Sequence, residues 1–214
     1  FLKNLESHHS YCETDRLGGW DPYAASKAAV EIAVSSWRRS FSGINIATVR
    51  AGNVIGGGDW AENRIVPDLA RSFAKKEVLL VRNPESTRPF QHVLDPLAGY
   101  LLLGEKLSTG DRSWQCAFNF GPNLDEVCSV KNLVETAIKI WPGKWSKVLT
   151  ADADHEFVHL SLDSRKANQE LGWYPHWNLQ RSIAETVNWY KEFSEGADPS
   201  DLIQSQLYSH ATTL

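Results

Sequence analysis

The chain has 214 residues and a formal net charge of −4, enough for one sizeable core and without the clustered Lys and Arg that a nucleic-acid groove needs. Its hydrophobic share, 42%, is that of an ordinary globular protein, and its richest apolar run, LAGYLLLG, has about half the length that spans a bilayer. Cys12, Cys116 and Cys128 are scattered, odd in number and free of CxxC spacing, which points to thiols in a reducing cytosol rather than to a disulfide framework. Methionine is absent, at position 1 as elsewhere, so Phe1 is not an ordinary translation start and a piece of a longer chain is expected.

In chain order, residues 21–41 (DPYAASKAAVEIAVSSWRRSF) predict a helix. Asp21 suits the N-cap and Pro22 the first helical position. The alanines that follow lose no side-chain entropy on becoming helical. INIATVR, Ile44 to Arg50, alternates and is β-branched, which predicts a strand. AGNVIGGGDW follows as a glycine-rich loop, IVPDLARSFAKK as a helix, and VLLV (Val78 to Val81) as a short buried strand. The helix over DPLAGYLLLGEKL is apolar on almost every side and is expected to be buried. CAFNFG predicts a short strand closed by a Gly-Pro turn. In SVKNLVETAIKIW, Val130, Leu133, Val134, Ala137, Ile138 and Trp141 keep helical spacing, one apolar stripe toward a core. EFVHLSLD alternates as a strand, SRKANQELGW predicts a helix stopped at Gly172, and Leu179, Ile183, Val187 and Tyr190 mark another amphipathic helix. The tail after Gly196 is polar and weakly patterned. Helices alternating with strands predict an α/β protein. A dinucleotide-binding fold opens on a strand and a GxGxxG-type turn. GGGDW has the wrong spacing for that turn, so the first half of a doubly wound sheet would lie upstream of Phe1.

The stretch HEFVH, His155 to His159, carries the H-E-x-x-H signature of zinc peptidases. That chemistry needs both histidines on one helical turn, where residues four apart are neighbours. Here Phe157, His159 and Ser161 alternate with Val158, Leu160 and Leu162, a period of two. In a strand, residues four apart are separated by roughly 13 Å, at about 3.3 Å per residue, and two such ligands cannot clasp one metal. No metal site is expected.

Tyr23 and Lys27 lie four apart on the capped helix and share a face. They are the only such pair among the six tyrosines. Ala24, Ala25, Ala28 and Ala29 beside them are small enough for a backbone or a cofactor to come close. A free phenol ionises near pH 10, and making it a base near pH 7 requires roughly 4 kcal/mol. One ammonium at about 4 Å in an effective dielectric of 20 supplies about that much. Such a phenolate can take a proton from a hydroxyl while hydride leaves the same carbon.

The stretches YAASK, ATVRAGNVIGGGDW, RIVPDLARSF, VRNPESTRPFQHVLDPLAGYLLLGEKL, FNFGP and LDSRKANQELGWYPHWNLQRSIAETVNWY together resemble the extended short-chain dehydrogenase/reductases that act on nucleotide sugars. Within them, RAGNVIGGGDW and RPFQHVLDPLAGY are similar to the dehydratases that take CDP-glucose. The resemblance covers about Asp15 to about Tyr190. It implies the second part of a Rossmann-like doubly wound parallel sheet plus a smaller mixed α/β substrate-binding domain. Residues 1–60, with 84–110 returning, would belong to the NAD-binding part, and 61–83 with 111–214 to the nucleotide-sugar part.

It further implies a hydro-lyase with tightly held NAD as cofactor. Hydride would leave sugar C4, water would leave across C5 and C6, and hydride would return to C6, giving CDP-4-keto-6-deoxyglucose. In that scheme Tyr23 takes the hydroxyl proton and Lys27 holds the nicotinamide ribose. Arg50, Ala51 and Val54 match positions lining the nicotinamide, and Asn53 matches a substrate contact. Arg88 matches a phosphate-binding arginine, whose guanidinium fork suits phosphate oxygens. Arg64, Asn119, His155 and Glu156 match further substrate contacts. A cytoplasmic homodimer is implied, with neither nucleic acid nor membrane as partner. The family's glycine-rich turn and its acid-containing triplet would precede Phe1, so this polypeptide by itself is expected to be inactive. The competing readings are an epimerase or dehydratase of the same fold for another nucleotide, and a non-catalytic nucleotide-binding piece. Against the peptidase reading, elemental analysis of the purified protein is expected to find no zinc and a chelator to leave its thermal midpoint unchanged; a stoichiometric zinc would reverse that reading.

Overall fold

The computed structural model describes residues 9–19, 21–148 and 159–212. The chain runs β1 (Ser10–Tyr11), α1 (Pro22–Ser40), β2 (Thr48–Ala51), β3 (Asn53–Ile55), α2 (Ile65–Ala74), β4 (Val78–Val81), β5 (Thr87–Arg88), β6 (Phe90–His92), α3 (Leu94–Ser108), β7 (Ala117–Phe120), β8 (Cys128–Ser129), α4 (Val130–Ile140), β9 (Lys144–Lys147), β10 (Ser161–Leu162), α5 (Leu179–Ser194) and α6 (Pro199–Ala211). Among the described residues β1 pairs with β10, β2 with β7, β3 with β6 and β4 with β9, all parallel. The pair β5–β8 is antiparallel. Parallel pairing with helical crossovers is the α/β pattern that the alternation of elements predicts. No helix among the described residues is long and apolar enough to cross a membrane.

β2 and β3 are one run of chain that changes neighbour at Gly52. The Gly52 amide donates to Phe120 O at 3.0 Å, and the next amide, Asn53, donates to Pro89 O at 2.8 Å. A Cβ at Gly52 would sit 2.4 Å from Pro89 O, so only glycine fits where the two neighbours meet. Further on, Gly57 lies against the Trp189 indole, with ring atoms 2.1 Å from the place of a Cβ. The glycine-rich loop is therefore a close approach of backbone to α5 rather than a phosphate cradle.

Two apolar clusters fill the interior. The larger joins α2 (Leu69, Phe73) and β4 (Leu79, Val81) to α4 (Leu133, Val134) and α5 (Ile183, Val187). These helices carry the apolar stripes legible in the sequence. The smaller gathers Leu103, Phe118, Phe120, Ala167, Leu171 and Trp173. It places β7 and residues 167–173, from the expected substrate-binding part, beside β2 and α3 of the expected NAD-binding part. The reason is strand pairing: β7 runs beside β2 from Thr48↔Ala117 to Ala51↔Phe120.

Three local expectations also change. α3 buries one stripe only, with Asp95, Pro96, Gly99 and Leu103 inside, while Leu101 is 78% exposed. The strand expected from Ile44 begins at Thr48. The polar tail forms α6, capped by Asp198, whose carboxylate accepts from Ser200 N at 2.7 Å, with Pro199 at the first position. His210 near its end reaches back to buried Asp95 at 2.9 Å.

Two stability predictions follow from this packing. Gly57→Ala drives a methyl into Trp189 and is expected to cost about 1–3 kcal/mol, seen as a lower urea midpoint at unchanged slope. His92 is 1% exposed, and burial lowers its pKa to about 4, with Asp95 opposing and His210 assisting the shift. Between pH 6.5 and about 4 the unfolded chain binds a proton that the folded chain refuses. Stability therefore falls as pH drops through that window, by on the order of 3 kcal/mol from this group. His92→Asn should flatten that part of the stability–pH curve; an unchanged slope would show that His92 does not titrate this way.

Candidate active site

α1 begins where the sequence places it. The Asp21 carboxylate accepts from Ala24 N at 2.9 Å and Pro22 occupies the first turn. On its inward face only Ala24 and Ala28 are buried, and Ala24 lies against the Gly19 backbone, where a Cβ on the glycine would come within 2.5 Å. The small side chains thus let neighbouring backbone close on the helix start. One position round from Ala24, Tyr23 is 69% exposed, so its phenol is not sealed in an apolar interior. The Lys27 ammonium lies 5.6 Å from the centre of the Tyr23 ring, a cation held beside the aromatic group by helical spacing.

A cleft of about 700 Å³ opens beside this turn, within the range that small-molecule sites occupy. Tyr23 and Ala24 form one wall and Ala51, Asn53 and Val54 its floor. Arg64 and the first turn of α2, the end of β4 with Arg82 and Asn83, and Arg88 also line the cleft. The cleft therefore sits outside the carboxyl ends of β2 and β4, where open parallel sheets bind ligands.

Of the residues expected at a site, Tyr23, Ala51, Asn53, Val54, Arg64 and Arg88 all line this one cleft, and Lys27 adjoins it through Tyr23. Arg50 and Asn119 are not among its lining residues, and each is buried in a polar layer behind the cleft. Arg50 is 3% exposed and donates to Glu31 at 2.9 Å. Its side chain points to the opposite face of β2 from Ala51, as alternation along a strand requires. Asn119 is fully buried, its amide nitrogen donating to Tyr11 O at 3.0 Å and Asp163 O at 3.2 Å. It ties β7 to β1 and to the end of β10. His155 and Glu156 lie outside the described residues. His159 bridges to Thr87 in parallel, with 3.0 Å between the threonine hydroxyl and Nδ1. Among the described residues no three His, Cys, Asp or Glu are grouped to hold a metal.

The cleft is rich in guanidinium groups. Arg64 pairs with Asp59 at 3.3 Å, and Arg88 donates to Thr87 O at 2.8 Å, which fixes where its fork points. Arg82, at the end of β4, was not expected at the site; the signal for it was its place just past a buried strand. Asn63 holds a left-handed backbone (φ 62°) in the turn that leads into α2. Behind this turn the Tyr190 hydroxyl donates to Asp59 O at 2.5 Å. Burial, with the Asp59 charge, pushes that phenol up to about 12, so it stays a neutral donor that fastens the cleft loop to α5. The site thus brings a phenol with an ammonium beside it and planar cations to one cleft. Such an arrangement can act on a hydroxyl of a ligand whose anionic part is held some distance away.

Residues 3–120 match the profile described as the NAD dependent epimerase/dehydratase family. The chain is 40% identical over 204 residues to a CDP-glucose 4,6-dehydratase of Salmonella typhimurium, a match that covers 91% of this chain and 57% of the relative. It is 25% identical over 179 residues to a dTDP-glucose 4,6-dehydratase of Haemophilus influenzae, covering 79% and 51% of the two chains. Among solved structures, a dTDP-glucose 4,6-dehydratase of Bacillus anthracis in complex with NAD superposes with a TM-score of 0.76 at 19% identity, over 89% of this chain and 58% of that one. Another from Streptomyces venezuelae, with NAD and TYD bound, gives 0.75 at 22% identity, over 89% and 57%. The chain thus spans somewhat more than half the length of these proteins.

Proposed function

Because the chain belongs to the NAD dependent epimerase/dehydratase family, we propose that the whole protein is a CDP-glucose 4,6-dehydratase that holds NAD and works as a cytoplasmic homodimer. The observation that carries this reading is the meeting of Tyr23, beside Lys27, with Arg64 and Arg88 across a single cleft. The 40% identity to a CDP-glucose 4,6-dehydratase supports the choice of nucleotide. Exposed apolar side chains on α1 (Val30, Ile32, Trp37) support a dimer through that helix.

The residues present fit a nicotinamide cofactor. Tyr23 is open to the cleft, Lys27 adjoins it, and Ala24, Ala51 and Gly52 leave its wall without bulk on which a flat ring would clash. NAD, when bound, supplies the acceptor and later the donor of hydride to the sugar. Tyr23 Oη accepts the proton of the sugar's C4 hydroxyl. Lys27 places a positive charge beside that oxygen as it gives and takes the proton. Arg88 and Arg64 bind the diphosphate, which fixes the distance from the anion to the reacting carbon. Asn53, on the floor between them, orients the sugar through its side-chain amide, and Ala51 and Val54 border the ring of the cofactor. His155 and Glu156 belong to the same reading as contacts to the substrate.

The test is a panel of CDP-, dTDP-, GDP- and UDP-glucose given to the full-length protein with NAD, with the keto-sugar product measured. CDP-glucose should be turned over with the highest kcat/KM. Tyr23→Phe should lower kcat by about 10²–10⁴-fold with little change in KM, and Arg88→Ala should raise KM for the nucleotide sugar. A preference for another nucleotide would reassign the substrate, and full turnover by Tyr23→Phe would end the mechanism.

A further inference from the structure

α1 carries Tyr23 and Lys27, yet of its nineteen residues only Ala24 and Ala28 are buried. Two alanines give a helix little apolar surface by which to fix its rotation or its slide along a neighbour. The contacts that hold it to β2 are polar. Glu31, eight residues beyond Tyr23 on the ridge that passes through Lys27, uses both carboxylate oxygens. One accepts from Arg50 Nε at 2.9 Å and the other from the Thr48 hydroxyl at 2.8 Å. Two turns on, Arg38 Nε donates to Ile46 O at 2.8 Å and its Nη2 to Thr48 Oγ1 at 3.3 Å. α1 is thus fastened at Glu31 and Arg38 to three alternate positions, Ile46, Thr48 and Arg50, leading into and along β2. The same β2 continues into Ala51, Gly52 and Asn53, the floor of the cleft.

The Glu31–Arg50 pair stands apart from most ion pairs of the described residues. Its side chains are 10% and 3% exposed, whereas Arg64–Asp59 and Arg165–Asp163 each keep a guanidinium more than half exposed. Burial pushes the Glu31 carboxyl up, but hydrogen bonds from Arg50 and Thr48 outweigh it and leave the group below its usual range. Arg50 also reaches Glu13 O at 3.3 Å, and Glu13 in turn accepts from Asn119 N at 2.7 Å, so the clamp is anchored to β7 as well. A buried pair of this kind has strict geometry, because either charge left without the other is strongly disfavoured.

We propose that Glu31 and Arg50 are positioning residues of the active site, a buried clamp between α1 and β2 that sets where Tyr23 and Lys27 stand over the cleft floor. The clamp acts through the helix and touches neither substrate nor cofactor. The proposal rests on the dehydratase reading for its kinetic consequence and on the geometry alone for its structural one, so two measurements test it.

In the full-length protein, Glu31→Gln and Arg50→Gln are expected to lower kcat for CDP-glucose by about 10–100-fold, the effect of misplacing a reacting group by an ångström or so, while KM stays within about threefold. Arg50→Lys, which keeps the charge but loses the fork, should recover part of the loss. The double variant should lose less than the product of the two singles, as coupled sites do. Independently of activity, amide hydrogen exchange over residues 24–34 should quicken by about tenfold or more in Glu31→Gln while α5 is unchanged, the mark of a local release. A purely structural role would quicken exchange everywhere and leave kcat per folded molecule intact, and that result overturns the proposal. If the unsubstituted protein turns over none of the four sugars, the dehydratase reading fails, and unchanged exchange in α1 would then sink the clamp on its own.

Discussion

Parallel pairing is the constraint from which the rest of this structure follows. A parallel neighbour cannot be reached by a tight turn, so each pairing demands a long crossover. Residues 52–116 separate β2 from β7, and 82–143 separate β4 from β9. Those crossovers carry the helices and put the carboxyl ends of the two strands of each pair on the same side. The cleft is what remains where the run β2–β3 changes neighbour, from β7 to β6, at Gly52. The residues just past those strand ends, Asn53, Val54 and Arg82, then face a common space without any local signal telling them to do so.

The two sides of that space are held by different forces. On the α2–α5 side, a continuous apolar cluster with Leu69, Leu133, Val134 and Ile183 almost wholly buried locks the elements together. Each such side chain contributes about 1.5–3 kcal/mol relative to exposure, so this wall is set by packing. On the α1 side, a layer of buried and half-buried polar groups runs from Glu31 through Arg50 and Glu13 to Asn119, Tyr11 and Asp163. Hydrogen bonds are directional where apolar contacts are not. A directional tether suits the wall that carries Tyr23, the phenol proposed to handle the proton, because there the angle of approach would decide whether chemistry occurs. A packed wall suits the part that must only hold a shape.

Much of the local structure was legible, and its failures share one cause. α1, α2, α4 and α5 announce themselves through caps and stripes, signals confined to a few residues. α6 carried such a signal too, in Asp198-Pro199, although its polar composition concealed it. Of the strand expected over EFVHLSLD, the described residues hold β10 and a bridge at His159, and its first residues lie outside them. α3 misled because leucines on every side say that a helix can be buried, not which stripe meets β7; Leu101 faces outward and Gly99 meets Phe120. Arg50 and Asn119 turn away from the cleft for the companion reason. Both sit beside site residues in the sequence, but in a strand adjacent side chains take opposite faces. The face of Arg50 belongs to Glu31, and Asn119 is enclosed by Tyr11 and Asp163.

By itself, then, the sequence determined a capped helix in which Tyr23 and Lys27 must be neighbours, along with the class of fold and the apolar faces of most helices. Helical rise and capping act within four residues and need no distant information. Only the tertiary structure decided that Arg64, Arg88 and Asn53 meet Tyr23 in one cleft, that β7 pairs with β2, and that Arg50 pairs with Glu31 of α1. Those facts depend on which strands pair across scores of intervening residues. Such pairing is chosen by the packing of whole faces, a sum over many weak contacts that no short stretch of sequence contains.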